Sequence, residues 1–404
     1  MSKQALAGLK VLECCSMVAG PYCSKLLADL GADVIKVEEP DGDEARRRGP
    51  FLHDIPHPER SGLFLYLNTN KIGLTLDLAQ NAGKQIFEQL VRDVDIVVED
   101  KPPGKMQDLG LDYESLKCIN PNLIMASITP FGQTGPYKDH KAYYINTFAS
   151  GGECYLLPGG DEWRRNHDRE PIKTGNYAGE VQCSIMAVAG ILLAVYYRNA
   201  SGCGQYVDIS KQEALLNLNR VELARYPNQG FLENRMTRML PVGGLFECSD
   251  GYAQIMPLED HMWYKLVEFM GNPEWASDEL FKDRASRTEH GERANALLEV
   301  WTKDQKVEDL YHGAQAEGCA VAPICSPEDI LKSEQLKVRN FFAELDHPEA
   351  GRLSYPFTPY KLSHTPRQAK RPAPLLGEHN QEVYGQRLGF SKDDLIRLRE
   401  AGVI

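Results

Sequence analysis

The stretch Leu9-Lys10-Val11-Leu12-Glu13-Cys14, followed by Met17-Val18-Ala19-Gly20-Pro21 and then by Leu30-Gly31-Ala32-Asp33-Val34-Ile35-Lys36-Val37-Glu38, decides the fold class. Leu9 to Cys14 is a short apolar, β-branched run that reads as a strand. Pro21 to Leu30 carries Cys23, Leu26, Leu27 and Leu30 at spacings of three and four, the period of a helix face, and Gly31 is placed to end it. Asp33 to Val37 is a second strand. A strand, a helix and a strand in so short a span form a βαβ unit, which brings the second strand back parallel to the first.

Working outward, the same alternation continues. Leu74 to Leu76 reads as a third strand, Gly83 to Asp93 as a helix, Asp95 to Val98 as a fourth strand and Leu123 to Ile128 as a fifth. After a polar stretch between Glu153 and Lys173, which includes Arg164, Arg165, Asp168, Arg169 and Glu170, a long helix is expected from Gly179 to Arg198. Its apolar positions are Val181, Ile185, Val188, Leu192 and Val195. Gln205 to Ser210 is a further strand and Leu215 to Arg225 a further helix. The expected class is α/β, with a Rossmann-like large domain built on an open, mainly parallel sheet.

The texture changes near Asn228. Leu245 to Cys248 and Tyr252 to Met256, joined by Ser249-Asp250-Gly251, read as a hairpin, followed by mainly helical sequence to Gly318. A helix from Pro327 to Ser333 precedes a Pro-rich tail, Pro348 to Pro374, unable to form long helices. The expected division is a large domain over 1–225, a smaller α+β domain over 226–325, and a segment over 326–404 returning to the large domain.

The 404 residues include 45 Lys+Arg against 57 Asp+Glu, a net charge of −12, which excludes general binding to nucleic-acid backbones or anionic membrane surfaces. An anionic ligand therefore needs a local basic pocket. Met1 to Lys10 is too short in apolar content for a signal peptide, and no apolar run reaches 18 residues. The ten cysteines form no Cys-x-x-Cys pair, as expected for buried free thiols of a cytoplasmic protein. The first strand-to-helix turn holds a single glycine, Gly20, so neither a dinucleotide nor a Walker loop is present there. No zincin, nucleophile-elbow or EF-hand pattern occurs, and neither a metal nor a redox cofactor is expected.

Several segments together resemble one family. Leu6 to Glu13, Val18-Ala19-Gly20-Pro21 and Leu30 to Glu38 are similar to the opening of the family III CoA-transferases, the CaiB/BaiF group of formyl-CoA, carnitine, bile-acid and benzylsuccinate CoA-transferases. Asn68-Thr69-Asn70-Lys71 with Leu76-Asp77-Leu78, Phe131 to Tyr137, Gly202 to Asp208, Pro374 to Asn380 and Leu388-Gly389-Phe390 resemble further segments of that family in order. The resemblance spans nearly the whole chain. It implies a Rossmann-like domain with a smaller one, and two chains interlocked as a dimer.

The reaction implied moves CoA from an acyl-CoA donor to a carboxylic-acid acceptor through anhydride and thioester intermediates on an enzyme carboxylate, with CoA as co-substrate. In the family this carboxylate is an aspartate at the start of the long helix. Counting back from Arg198 puts Glu180 there, with Cys183 and Ser184 where the family has Thr/Ala and Gly. Glu180 is then a glutamyl nucleophile. The alternatives are a silent subunit that pairs with an Asp-bearing partner, as in heteromeric benzylsuccinate-type enzymes, or a carboxylate that only caps the helix. A racemase would use a His and Asp pair, and His167 with Asp168 lies outside the family position.

Formyl-CoA transferases carry a glutamine where this chain has Val18, and their tetraglycine loop has only Val242-Gly243-Gly244-Leu245 as counterpart. Val18 therefore points to a bulky, less polar acid rather than oxalate or formate, and Tyr143 reads either as a second pocket wall or as core packing. For the CoA phosphates the resemblance marks Lys71, Lys101 and Lys105, although the Asn and Arg of the family's V-E-N-F-R-P-G stretch are Asp100 and Pro102 here. Arg46, Arg47 and Arg48 form another basic run.

Overall fold

A computed structural model describes residues 4–160, 166–236 and 241–404, so Arg164 and Arg165 of the polar run lie outside the described residues. The chain divides into two compact units. The large one comprises the chain up to Glu153, Lys173–Arg220 and Lys337–Ile404; the small one comprises Cys154–Ile172 and Val221–Leu336. The sequence reading placed the boundaries at 225 and 325 and kept 154–172 in the large domain. Polar loop sequence gave no sign that this stretch joins the small unit, where Gly160 N–H donates to the Arg235 carbonyl at 3.3 Å.

Six strands form the sheet of the large unit: β1 (Lys10–Cys14), β2 (Asp33–Glu38), β3 (Ile72–Thr75), β4 (Ile96–Glu99), β5 (Ile124–Thr129) and β6 (Tyr206–Ser210). They run in the order β3-β2-β1-β4-β5-β6, and every pairing is parallel. Both faces are covered, which is why the strands read as continuous apolar runs. Val11, Val34, Ile96, Val98 and Ile124 face a core shared with α1 (Ala19–Asp29) and the long helix Ala178–Ser201. Leu12, Ile35, Val37, Val97 and Met125 face the opposite core, with the helix Asn81–Val91.

Local chemistry sets the element ends. Pro21 falls in the first turn of α1, where its missing N–H costs nothing. Gly31 follows the helix at φ 104°, and a Cβ there would sit 2.4 Å from Gln4. The long helix stops at Gly202, φ 75°. By length and composition it is apolar enough to cross a membrane; here Cys183, Ala187, Ile191 and Ala194 pack one face into the large-unit core. The expected helix Leu215–Arg225 is two helices, Lys211–Leu216 and Arg220–Gln229. Ser210 caps the first, accepting from Glu213 N–H, and Asn219 interrupts them by donating its side-chain amide to the Gly151 carbonyl.

The small unit contains an antiparallel sheet of β7 (Gly244–Cys248), β8 (Gly251–Ile255) and β9 (Val321–Pro323), with Phe246, Trp263, Phe281, Leu298 and Leu310 in its core. Gly243 belongs to this packing, since a Cβ there would lie 2.5 Å from the Ile255 carbonyl oxygen. The tail contains the hairpin β10 (Phe342–His347) and β11 (Gly351–Pro356), then runs along the edge of β3. There His379 N–H donates to the Gly73 carbonyl, Thr75 N–H donates to Asn380 Oδ1, and the Tyr384 hydroxyl donates to the Thr75 carbonyl.

Candidate active site

The strand order reverses between β1 and β4, one neighbour of β1 leading to β3 and the other to β6. In an open parallel sheet the loops beyond the carboxyl ends diverge at such a point and leave a crevice. A cavity of about 620 Å³ opens there, wholly within the large unit. Its walls come from Ser16 to Val18 after β1, Asp100, Pro102 and Pro103 after β4, the loop 138–144 after β5, Tyr177 and Glu180 at the start of the long helix, and Lys211 after β6.

Glu180 sits in the first turn of the long helix and is 5% exposed. Free backbone N–H groups at that end favour an anionic side chain. Its Oε2 accepts a 2.7 Å hydrogen bond from Lys211 Nζ. One turn along, Ser184 Oγ donates within reach of both the Glu180 carbonyl at 2.8 Å and the Ala19 carbonyl at 2.7 Å, fixing the helix start against the turn that carries Val18. Burial alone would lower the Lys211 ammonium pKa; Glu180, with Asp100 and Cys183 nearby, outweighs burial and raises it. The Lys211 ammonium therefore keeps its charge at neutral pH.

Asp100 ties the two central loops together by accepting from Ser16 N–H at 2.9 Å. Burial pushes its carboxyl up to about 6, against the opposing pull of Lys101, the Ser16 hydrogen bond and Lys211. Behind these loops lies a sealed ionic cluster. Lys36 Nζ donates to Glu13, Asp43 and the Cys15 carbonyl, and Asp43 in turn accepts from Met17 N–H, whose residue adopts φ 62°. Burial would raise the Glu13 carboxyl, yet Lys36 and Lys71 hold it down at about 2. The cluster thus clamps the backbone turn that presents Val18.

Residues 6–380 match the pattern that defines CoA-transferase family III. The chain belongs to that family. A formyl-CoA:oxalate CoA-transferase of Streptomyces coelicolor is 34% identical, with 100% of both chains covered. A succinyl-CoA:D-citramalate CoA-transferase of Chloroflexus aurantiacus is 32% identical over 99% of this chain and 98% of its own. A crystal structure of a CaiB/BaiF family protein from Brucella suis superposes with a TM-score of 0.83 at 30% identity, covering 96% of this chain and all of that one. The α/β fold read from the alternating segments is that of the family, and this chain is a family III CoA-transferase enzyme.

Within the CoA-transferase cavity the structure brings together Val18, Tyr143 and Glu180. Val18 is buried and Tyr143 exposed. The three lysines marked for CoA are not brought together, and Lys71 is a correction. It is fully buried, and its ammonium donates 2.8 Å hydrogen bonds to Glu13, the Pro21 carbonyl and Asn68, so all three N–H groups are used inside the protein and none faces a phosphate. Lys101 lines a second cavity of about 190 Å³, with Glu39 3.9 Å away, and Lys105 is exposed at the start of a short helix. Arg46 is also buried, forked onto Glu38.

Sequence reasoning missed Lys211, Asp100 as a cavity wall, and the cationic loop residues Lys138 and Lys141. Lys211 had a signal: it directly follows a strand of a parallel sheet, the position that faces the crevice. His167 and Asp168 lie in the small-unit segment. Among the described residues no group of three His, Cys, Asp or Glu side chains could hold a metal ion. All ten cysteines are free; Cys118, Cys203 and Cys325 are exposed, which corrects the expectation of uniformly buried thiols.

Proposed function

We propose that Glu180 is the nucleophile of an acyl-CoA:carboxylate CoA-transferase whose acids are larger and less polar than oxalate or formate. The observation that carries this reading is a nearly buried, ammonium-paired carboxylate at a helix start on the wall of the switch-point cavity. The Glu180 carboxylate attacks the donor thioester, forming a mixed anhydride and releasing CoA thiolate. The thiolate attacks the glutamyl carbonyl, giving a glutamyl-CoA thioester and freeing the donor acid. The acceptor carboxylate then repeats the two steps in reverse, regenerating Glu180 and leaving as acyl-CoA.

Val18, Ile128, Pro130 and the rings of Tyr143, Tyr144 and Tyr177 support an apolar acyl group, and Lys138 and Lys141 supply the positive charge that a CoA diphosphate needs near the cavity. Exposed Ile185, Met186, Leu193, Tyr196 and Tyr197 on the long helix support assembly as a dimer. A silent subunit awaiting an Asp-bearing partner is not favoured, because Glu180 is presented as a reactive group would be and full-length relatives are named as transferases.

The test is trapping. Incubation with an acyl-CoA followed by hydroxylamine or borohydride should modify Glu180, read by mass spectrometry of its peptide, and Glu180→Ala should lose transfer. Undiminished transfer by Glu180→Ala would overturn the assignment.

A further inference from the structure

Glu180 is not alone in the cavity, and its partner has unused capacity. An ammonium has three N–H donors. Among the described residues Lys211 Nζ makes one hydrogen bond, to Glu180 Oε2. Its side chain is only 18% exposed, whereas Lys138 and Lys141, the other lysines of this cavity, are open to solvent. Lys211 therefore holds a charge next to the reacting oxygens, partly shielded from water, with two N–H groups available to something that enters the cavity.

Charge balance says what enters. Before reaction the negative charge is on Glu180 and the acyl-CoA thioester is neutral at the reacting centre. Attack forms the C–O bond of the anhydride and breaks the C–S bond, and the electron pair leaves with sulfur. Glu180 is then neutral and the thiolate carries the charge, so Lys211 has lost its partner while an anion has appeared within the same cavity. In the next step the charge passes from sulfur to the departing carboxylate, and the acceptor half-reaction reverses the sequence. A buried ammonium that keeps its charge throughout is strongly favoured to follow the anion, because a charge left unpaired at low dielectric is costly.

We propose that Lys211 is a further catalytic residue, one that pairs with Glu180 in the resting enzyme and transfers its hydrogen bonds to the CoA thiolate and then to the leaving or entering carboxylate. The proposal rests on Glu180 as nucleophile. The raised affinity of Lys211 for its proton, in spite of burial, fits a cation that stays charged through the cycle. Asp100, the second carboxylate near it, keeps the ammonium from being wholly unpaired when Glu180 is acylated.

The experiment compares wild type, Lys211→Met, Lys211→Gln and Lys211→Arg for steady-state transfer, thermal melting and trapping of the acyl adduct, with thioesters of thiols of graded acidity as donors. Loss of one preorganised charge-stabilising donor lowers turnover about 10²–10³-fold. Lys211→Met and Lys211→Gln should show that loss in kcat with KM changed less than about threefold, and Lys211→Arg should recover a large part of it. In the first two variants the rate should depend more steeply on leaving-thiol acidity, a dependence that a merely structural role would leave unchanged. Turnover within about threefold of wild type, or an unaltered dependence on thiol acidity, with the adduct still on Glu180, would overturn the role of Lys211 alone. An adduct on any residue other than Glu180 would overturn the nucleophile assignment and this inference with it.

Discussion

Lys71→Met separates a scaffolding lysine from a CoA ligand. The substitution keeps most of the side-chain volume while deleting an ammonium that satisfies Glu13, the Pro21 carbonyl and Asn68 at 2.8 Å each. Glu13 keeps Lys36 at 3.0 Å and the Ser24 hydroxyl, but it remains a fully buried carboxylate with one of its two cations removed. Removing one member of a buried ion pair costs about 3–5 kcal/mol. For a unit of this size that corresponds to a Tm lowered by roughly 6–10 °C. The assay is calorimetric melting together with KM for the acyl-CoA donor at a temperature well below both transitions. The expected result is a large fall in Tm with KM for the donor changed less than about threefold. A Tm within about 1 °C of wild type accompanied by a tenfold or greater rise in KM would show that Lys71 holds CoA and refute the buried-cluster argument.

Asp100 and Gly83 give two further expectations. The Asp100 carboxyl is raised to about 6 from its ordinary value, so its contribution to stability is fully present below about pH 4 and is lost as pH rises through 6. Asp100→Asn should therefore be more stable than wild type at pH 8, by on the order of 1–3 kcal/mol, and the advantage should vanish near pH 4; urea unfolding across pH checks this, and a pH-independent difference contradicts it. Gly83→Ala places a Cβ 1.9 Å from the Asp77 carbonyl oxygen, a backbone atom that cannot step aside, so it should destabilise the large unit by about 1–3 kcal/mol or more despite alanine's better helix propensity. A stabilised Gly83→Ala would show that the turn after β3 yields easily.

How much of this was legible depends on the range of the interaction involved. Strand and helix periods are local, so the βαβ alternation from Leu9 to Val98 could be read directly, and the long helix was placed within a few residues at each end. Glu180 was found through resemblance and its spacing from Arg198, a local count. Lys71 was misread because its environment is not local: Glu13 lies 58 positions earlier, and nothing near Lys71 in the chain tells a buried ammonium from a solvated one. The pairing of Glu180 with Lys211 spans 31 positions and depends on β6 lying beside β5. The helix break at Asn219 escaped notice because an Asn side chain competes for backbone groups only when a partner such as the Gly151 carbonyl is folded against it.

The tail along β3 has a consequence for biosynthesis. β3 is an edge of the parallel sheet, and an unpaired edge is a template for association with other chains. Its cover is supplied by His379, Asn380 and Tyr384, which are made only after the whole of the small unit. The six strands of the sheet are complete by Ser210, yet the edge stays open until Tyr384 has been made. A chain interrupted between Ser210 and His379 thus holds an assembled sheet without its selvedge, a template for association while still on the ribosome.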